Sequence, residues 1–176
     1  STGVIPVTPT QVADAAGYAL LILTLVFFGW LFLAPGWTPE ERKRLYVIGV
    51  LFLAAALFWS AFEQAGSTLN LFADRATNNS ALGYDFPSTW YQSLNSLFII
   101  ALAPAFAWLW VRLARRGKEP SSTSKFGVGL LLVGLGFVVL AVASVLADQG
   151  IKVSPMWLVV TYLLHTWGEL ALSPVG

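Results

Sequence analysis

The sequence predicts an all-α polytopic membrane protein with five transmembrane helices. Three observations carry that prediction: 57% of the 176 residues are hydrophobic, only 11% are charged, and five long segments run almost without a charge. A soluble domain carries about 25% charged residues to cover its surface. The formal net charge of +1 leaves no basic face for nucleic acid. With no cysteine there is no disulfide framework, thiolate metal site or cysteine nucleophile. The lone histidine, His165, gives no multi-histidine metal site. Neither a phosphate-binding glycine loop nor a G-x-S-x-G elbow occurs, so nucleotide-driven transport and serine-hydrolase chemistry are not encoded here. No cofactor is expected.

A helix needs ~20 mostly apolar residues to cross ~30 Å of hydrocarbon. The first segment, Ala15 to Ala34, has no charge and no polar stripe, only Tyr18, Thr24 and Trp30; it is expected to face lipid. Pro35-Gly36 closes it, and Thr38 with Pro39, Glu40 and Glu41 reads as a helix N-cap followed by acids in the first turn. The second segment starts at Leu45, is uncharged to Phe62, and continues through Glu63 toward Phe72. The third is uncharged from Phe86 to Val111 and opens on a polar corner of Gln92, Asn95 and Ser96. Pro104 predicts a kink there, and Trp90, Trp108 and Trp110 fit an interfacial belt.

A short polar linker, Ser121 to Ser124, leads to the fourth segment, Phe126 to Ala147. Gly127, Gly129, Gly134 and Gly136 form two pairs offset by seven residues, which suits close packing against a neighbour. The fifth segment starts near Val153 and is interrupted only by Glu169; Pro174 predicts a bend behind it. Eight of the ten basic residues fall before the second segment or between the third and fourth; only Arg75 and Lys152 lie on the other side. The positive-inside rule makes the crowded side cytoplasmic and places the amino terminus outside. The sequence has no initiating methionine and stops inside an apolar stretch, so it reads as a piece of a longer protein.

An ionisable residue at mid-membrane costs about 2.5–3.5 kcal/mol on insertion scales, which makes each one a candidate for function. Two qualify, Glu63 and Glu169. Trp59, Glu63, Ser67 and Asn70 follow helical steps of four, four and three, and Tyr162, His165, Glu169 and Ser173 steps of three, four and four. Each set predicts one polar stripe facing protein or water. His165 and Glu169, four apart, are placed to share a proton or form an ion pair, while His165 taken alone reads as a packing or hydrogen-bonding residue. The plainer alternative for both acids is a hydrogen bond that pairs two helices. Asp74 and Arg75 read as a solvated pair at the outer end of the second helix.

Three stretches, FWSAFEQAGSTLNLFADRAT (58–77), WYQSLNSLFIIALAPAFAWLW (90–110) and YLLHTWGELALSPVG (162–176), resemble the proton-dependent oligopeptide transporter family, a branch of the major facilitator superfamily. They look like its seventh, eighth and tenth helices. The resemblance implies that residues 1–44 hold an extra helix between the two bundles plus a cytoplasmic linker. Residues 45–176 would be the first four helices of the carboxy-terminal six-helix bundle. It implies that Glu169 holds a peptide amino terminus with help from Asn95, that Trp59 and Ser173 line the cavity, and that Glu63 couples the proton, the only coupling ion. The implied partners are a di- or tripeptide, membrane lipid and an amino-terminal bundle of the same protein, in a multi-pass inner-membrane transporter. Such a fragment alone should be inactive. Two other readings stay open: a family member moving nitrate or an amino-acid-like solute, and a membrane scaffold subunit that transports nothing.

Overall fold

The computed structural model describes residues 8–81 and 83–172. Among these residues six α-helices follow in order: α1 (Pro9–Leu33), α2 (Pro39–Phe62), α3 (Thr68–Ala76), α4 (Ser93–Arg115), α5 (Ser122–Ala147) and α6 (Met156–Leu172). The stretches Pro9–Leu33, Pro39–Ala76, Ser88–Arg115 and Ser122–Ala147 are long and apolar enough to cross a membrane. The fifth predicted span is α6, described over 17 residues. The chain divides into two compact units, one up to Val50 and one from Leu51 onward.

In the first unit, α1 starts six residues earlier than Ala15, because Thr8 and Gln11 form a capping box around Pro9. Such a box satisfies backbone N–H groups that the first turn leaves unpaired. No described residue of α1 is buried. Gly36 takes φ 101° in the turn, and the Trp37 indole N–H donates to the Leu31 carbonyl at 2.9 Å. Thr38 caps α2 as predicted: Glu41 accepts from its backbone N–H at 2.8 Å and from its hydroxyl at 2.7 Å.

In the second unit the predicted second helix is broken. The α-helix ends at Phe62, Glu63–Gly66 tighten into a 3-10 turn, and Ser67 (φ −119°, ψ −86°) joins it to α3. Gly66 weakens helix locally, and Gln64 stabilises the tightened turn. Its side-chain oxygen accepts from the hydroxyls of Ser67 (3.0 Å) and Thr68 (2.7 Å). A two-residue antiparallel hairpin, β1 (Ser80–Ala81) and β2 (Tyr84–Asp85), follows, with Gly83 at φ 83°. The connection between α5 and α6 is tied to this loop: Val153 donates to Ala76 at 2.8 Å and accepts from Asn78 at 2.9 Å. Another 3-10 turn, Ser88–Gln92, leads into α4, with Pro104 inside that helix.

The predicted tryptophan belt divides. Trp90 and Trp108 are exposed, Trp108 lying under the Arg112 guanidinium at 4.9 Å. Trp110 is instead half-buried and receives the Lys125 ammonium at 4.7 Å. Lys125 is buried and paired with Glu119 at 2.7 Å. Lysine is seldom buried without such a partner.

The core gathers around α6, which packs chiefly on α5 and then on α4. One cluster joins Leu69, Ala73, Tyr91, Leu140, Leu158 and Tyr162; a second joins Phe58, Val133 and Leu172. Of the two glycine pairs on α5, only Gly129 and Gly136 are buried. A Cβ at Gly129 would lie 3.1 Å from the Gly168 carbonyl, and one at Gly136 would lie 2.5 Å from the His165 ring. Gly127 and Gly134 meet nothing within 4 Å. Overpacking a close-packed core costs about 1–3 kcal/mol. Gly136→Ala should therefore lower the thermal unfolding midpoint of the full-length protein in detergent. A smaller residue at 165, as in His165→Asn, should recover part of that loss, giving a non-additive double-mutant cycle.

Candidate functional site

The break at Glu63 and the polar face of α6 meet at one cavity. It measures about 250 Å³ and is lined by Phe62, Glu63, Ala65, Gly66, Gln92, Asn95, Tyr162 and His165. Because the 3-10 turn interrupts the α-helical ladder, it frees carbonyls that a continuous helix would occupy. Tyr162 uses one of them: its hydroxyl donates to the Ala65 carbonyl at 3.3 Å. That bond ties α6 to the broken segment.

Glu169 lies on the same helix, half-buried. Its carboxylate accepts from the Asn95 side-chain amide at 3.3 Å. The other end of that amide, its oxygen, accepts from the Thr166 hydroxyl at 2.7 Å. Thus α4 and α6 are joined by Thr166, Asn95 and Glu169 in series. Glu63 is exposed on the tightened turn and makes no ion pair among the described residues.

Residues 18–176 match the model of the POT family. The chain belongs to the POT family. It is 44% identical over its whole length to the peptide transporter YePEPT of Yersinia enterocolitica, covering 35% of that protein. It is 31% identical, over 89% of its length, to a di-/tripeptide transporter of Lactococcus lactis, covering 32% of it. A crystal structure of the peptide transporter POT with sulfate superposes with a TM-score of 0.85 at 39% identity, over 97% of this chain and 34% of that one. A POT family transporter in complex with 5-aminolevulinic acid superposes at 0.80 with 27% identity, over 96% of this chain and 35% of that one. The chain spans about a third of the length of the curated relatives it matches. The predicted family and the all-α membrane fold both stand.

Within this POT chain, the structure brings together only part of the predicted site. Glu63 and Asn95 line one cavity, and Glu169 joins it through Asn95. Trp59 lies outside that cavity; it is exposed and stands edge-on to Phe58 and Phe62. Ser173 and Pro174 lie outside the described residues. The stripe Trp59, Glu63, Ser67 and Asn70 does not form, because its members sit on α2, the 3-10 turn, the junction and α3. A 3-10 turn holds three residues where an α-turn holds 3.6, so the spacing no longer keeps one face.

The predicted pairing of His165 with Glu169 also fails. The His165 ring is buried between Phe62 and Phe137, at centroid distances of 6.4 and 5.1 Å. It packs over Gly136 on α5, whereas Glu169 reaches Asn95 on α4. Residues four apart on a helix are offset by about 40°, enough here for two different neighbours to claim them. The His165 Nε2 is buried without a hydrogen-bond partner among the described residues. Tyr162 appeared in the sequence as a stripe member, but Thr166 carried no signal, since a threonine facing a helix neighbour reads like any small residue.

Proposed function

We propose that this chain is part of a proton-coupled symporter that imports di- and tripeptides by alternating access, and that the fragment alone is inactive. The observation that carries the reading is the Asn95–Glu169 hydrogen bond across α4 and α6, set beside a cavity that also holds Glu63. A peptide recognised without reading its side chains must be held by its charged ends. Glu169, supported by Asn95, takes the ammonium end. By the family resemblance Trp59 and Ser173 line the central cavity of the full-length protein, and Glu63 carries the proton. The chain performs no catalysis, uses no cofactor and sits in the inner membrane as a multi-pass protein. Residues 1–44 supply an extra inter-bundle helix and linker, and 45–176 begin the carboxy-terminal bundle. An amino-terminal bundle supplies the carboxylate-binding charges and the rocking partner. A site between two halves near the midplane is the common arrangement of secondary transporters.

The test is uptake of a labelled dipeptide by the full-length protein in proteoliposomes, with and without an inward proton gradient. Accumulation above the outside concentration only with the gradient is expected. A well-folded protein that takes up no dipeptide under either condition would overturn the reading. A second reading, transport of an amino-acid-like solute, is favoured by one observation: a relative of the same fold is in complex with 5-aminolevulinic acid. Competition by that compound against dipeptide uptake tells the two apart.

A further inference from the structure

Thr166 is fully buried, yet its hydroxyl faces two acceptors. The Asn95 side-chain oxygen is at 2.7 Å and the Tyr162 backbone carbonyl, one turn back, is at 2.8 Å. A hydroxyl has one proton and two lone pairs, so it donates to one of these groups at a time. With the carboxylate of Glu169 accepting from the Asn95 nitrogen at 3.3 Å, the Asn95 oxygen points at Thr166 and takes the proton. In that arrangement every group in the series is satisfied.

A substrate ammonium changes the demand. It brings three donors and no acceptor, so it competes with the Asn95 nitrogen for the carboxylate and is met best by oxygens. Turning the Asn95 amide over would place its oxygen on the ammonium and its nitrogen on Thr166. The hydroxyl then accepts from that nitrogen and sends its own proton to the Tyr162 carbonyl, which has a second lone pair beyond its helix bond. No buried polar atom is orphaned in either arrangement, and an orphan would cost about 1–3 kcal/mol. We infer that Thr166 is a positioning residue, a hydroxyl that switches between donor and acceptor so that Asn95 can present nitrogen to Glu169 in the empty site and oxygen to a bound ammonium. The inference rests on the reading of Glu169 as the holder of the amino terminus.

The test uses the full-length protein, with dipeptide affinity and the KM and kcat of gradient-driven uptake as readouts. Thr166→Val keeps the shape and removes both hydrogen-bonding capacities. It should weaken dipeptide affinity and raise KM by roughly tenfold, the scale of one hydrogen bond to a charged network, while kcat changes by less than about twofold. Thr166→Ala, which also lacks the hydroxyl but adds no branch, should behave alike. Thr166→Ser should stay within about threefold of the parent. Unchanged affinity in Thr166→Val or Thr166→Ala would overturn the switch, as would a Thr166→Ser as weak as Thr166→Val. Glu169→Gln measured in parallel separates the two layers. If it binds dipeptide normally, the role of Glu169 falls, and the switch falls with it. If it loses binding while Thr166→Val does not, only the switch is wrong.

Discussion

Glu169→Gln in the full-length protein should raise the dipeptide KM by roughly 30-fold or more, with uptake at low substrate falling in proportion. The variant keeps the shape and still offers an oxygen to the Asn95 amide, which donates to this position at 3.3 Å. The α4–α6 link therefore survives, and what is lost is the charge. Removing one partner of a desolvated, hydrogen-bonded charge pair costs about 2–5 kcal/mol, and 1.4 kcal/mol is a factor of ten in affinity. Melting of the variant in detergent should match the parent within a few degrees. A KM within threefold of the parent, in protein that melts normally, would remove Glu169 from the binding site.

Glu63→Gln should abolish accumulation and spare exchange. A glutamine stays neutral at every pH, so it cannot load a proton on one side and release it on the other. One coupled proton across a gradient of one pH unit supplies about 1.4 kcal/mol, enough for roughly tenfold accumulation. The variant should equilibrate at about onefold while counterflow of labelled against unlabelled dipeptide continues near the parent rate. The exposed position of Glu63 on the tightened turn makes it available to a cation from outside this chain. If Glu63→Gln leaves accumulation intact with normal counterflow, the coupling proton travels elsewhere.

The helices were legible because uninterrupted apolar length is a strong signal, and the Thr38 cap because Thr-Pro-Glu-Glu is a local device. What depended on neighbours was not. The break after Phe62 left little trace, since FWSAFEQ propagates helix well and only Gly66 with Ser67 and Thr68 mark the interruption. The two glycine pairs on α5 have the same spacing, and only the position of α6 decides that Gly129 and Gly136 are the buried ones. Intramembrane charge pointed to Glu63 and Glu169 and the polar corner of the third segment to Asn95, and the structure sets Glu63 and Asn95 at one cavity with Glu169 bonded to Asn95. The four-residue spacing of His165 and Glu169 misassigned the partner of Glu169, because periodicity ranks residues by face and cannot tell which neighbouring helix claims each one.

The interlocked glycines have a mechanical meaning. With Gly129 and Gly168 backbone to backbone and the His165 ring seated over Gly136, α5 and α6 are keyed together like a bolt in its slot. Sliding one past the other by a turn would bring Val133 or Leu140 under the imidazole, and neither side chain leaves room for it. The two helices therefore form one locked pair, and Glu169 sits on it. Regular α-helix is instead broken over Glu63 to Ser67, the kind of short segment that can absorb a change of backbone angle. The acid beside the cavity thus stands at the break in the helix, and the acid bonded to Asn95 stands on the locked pair.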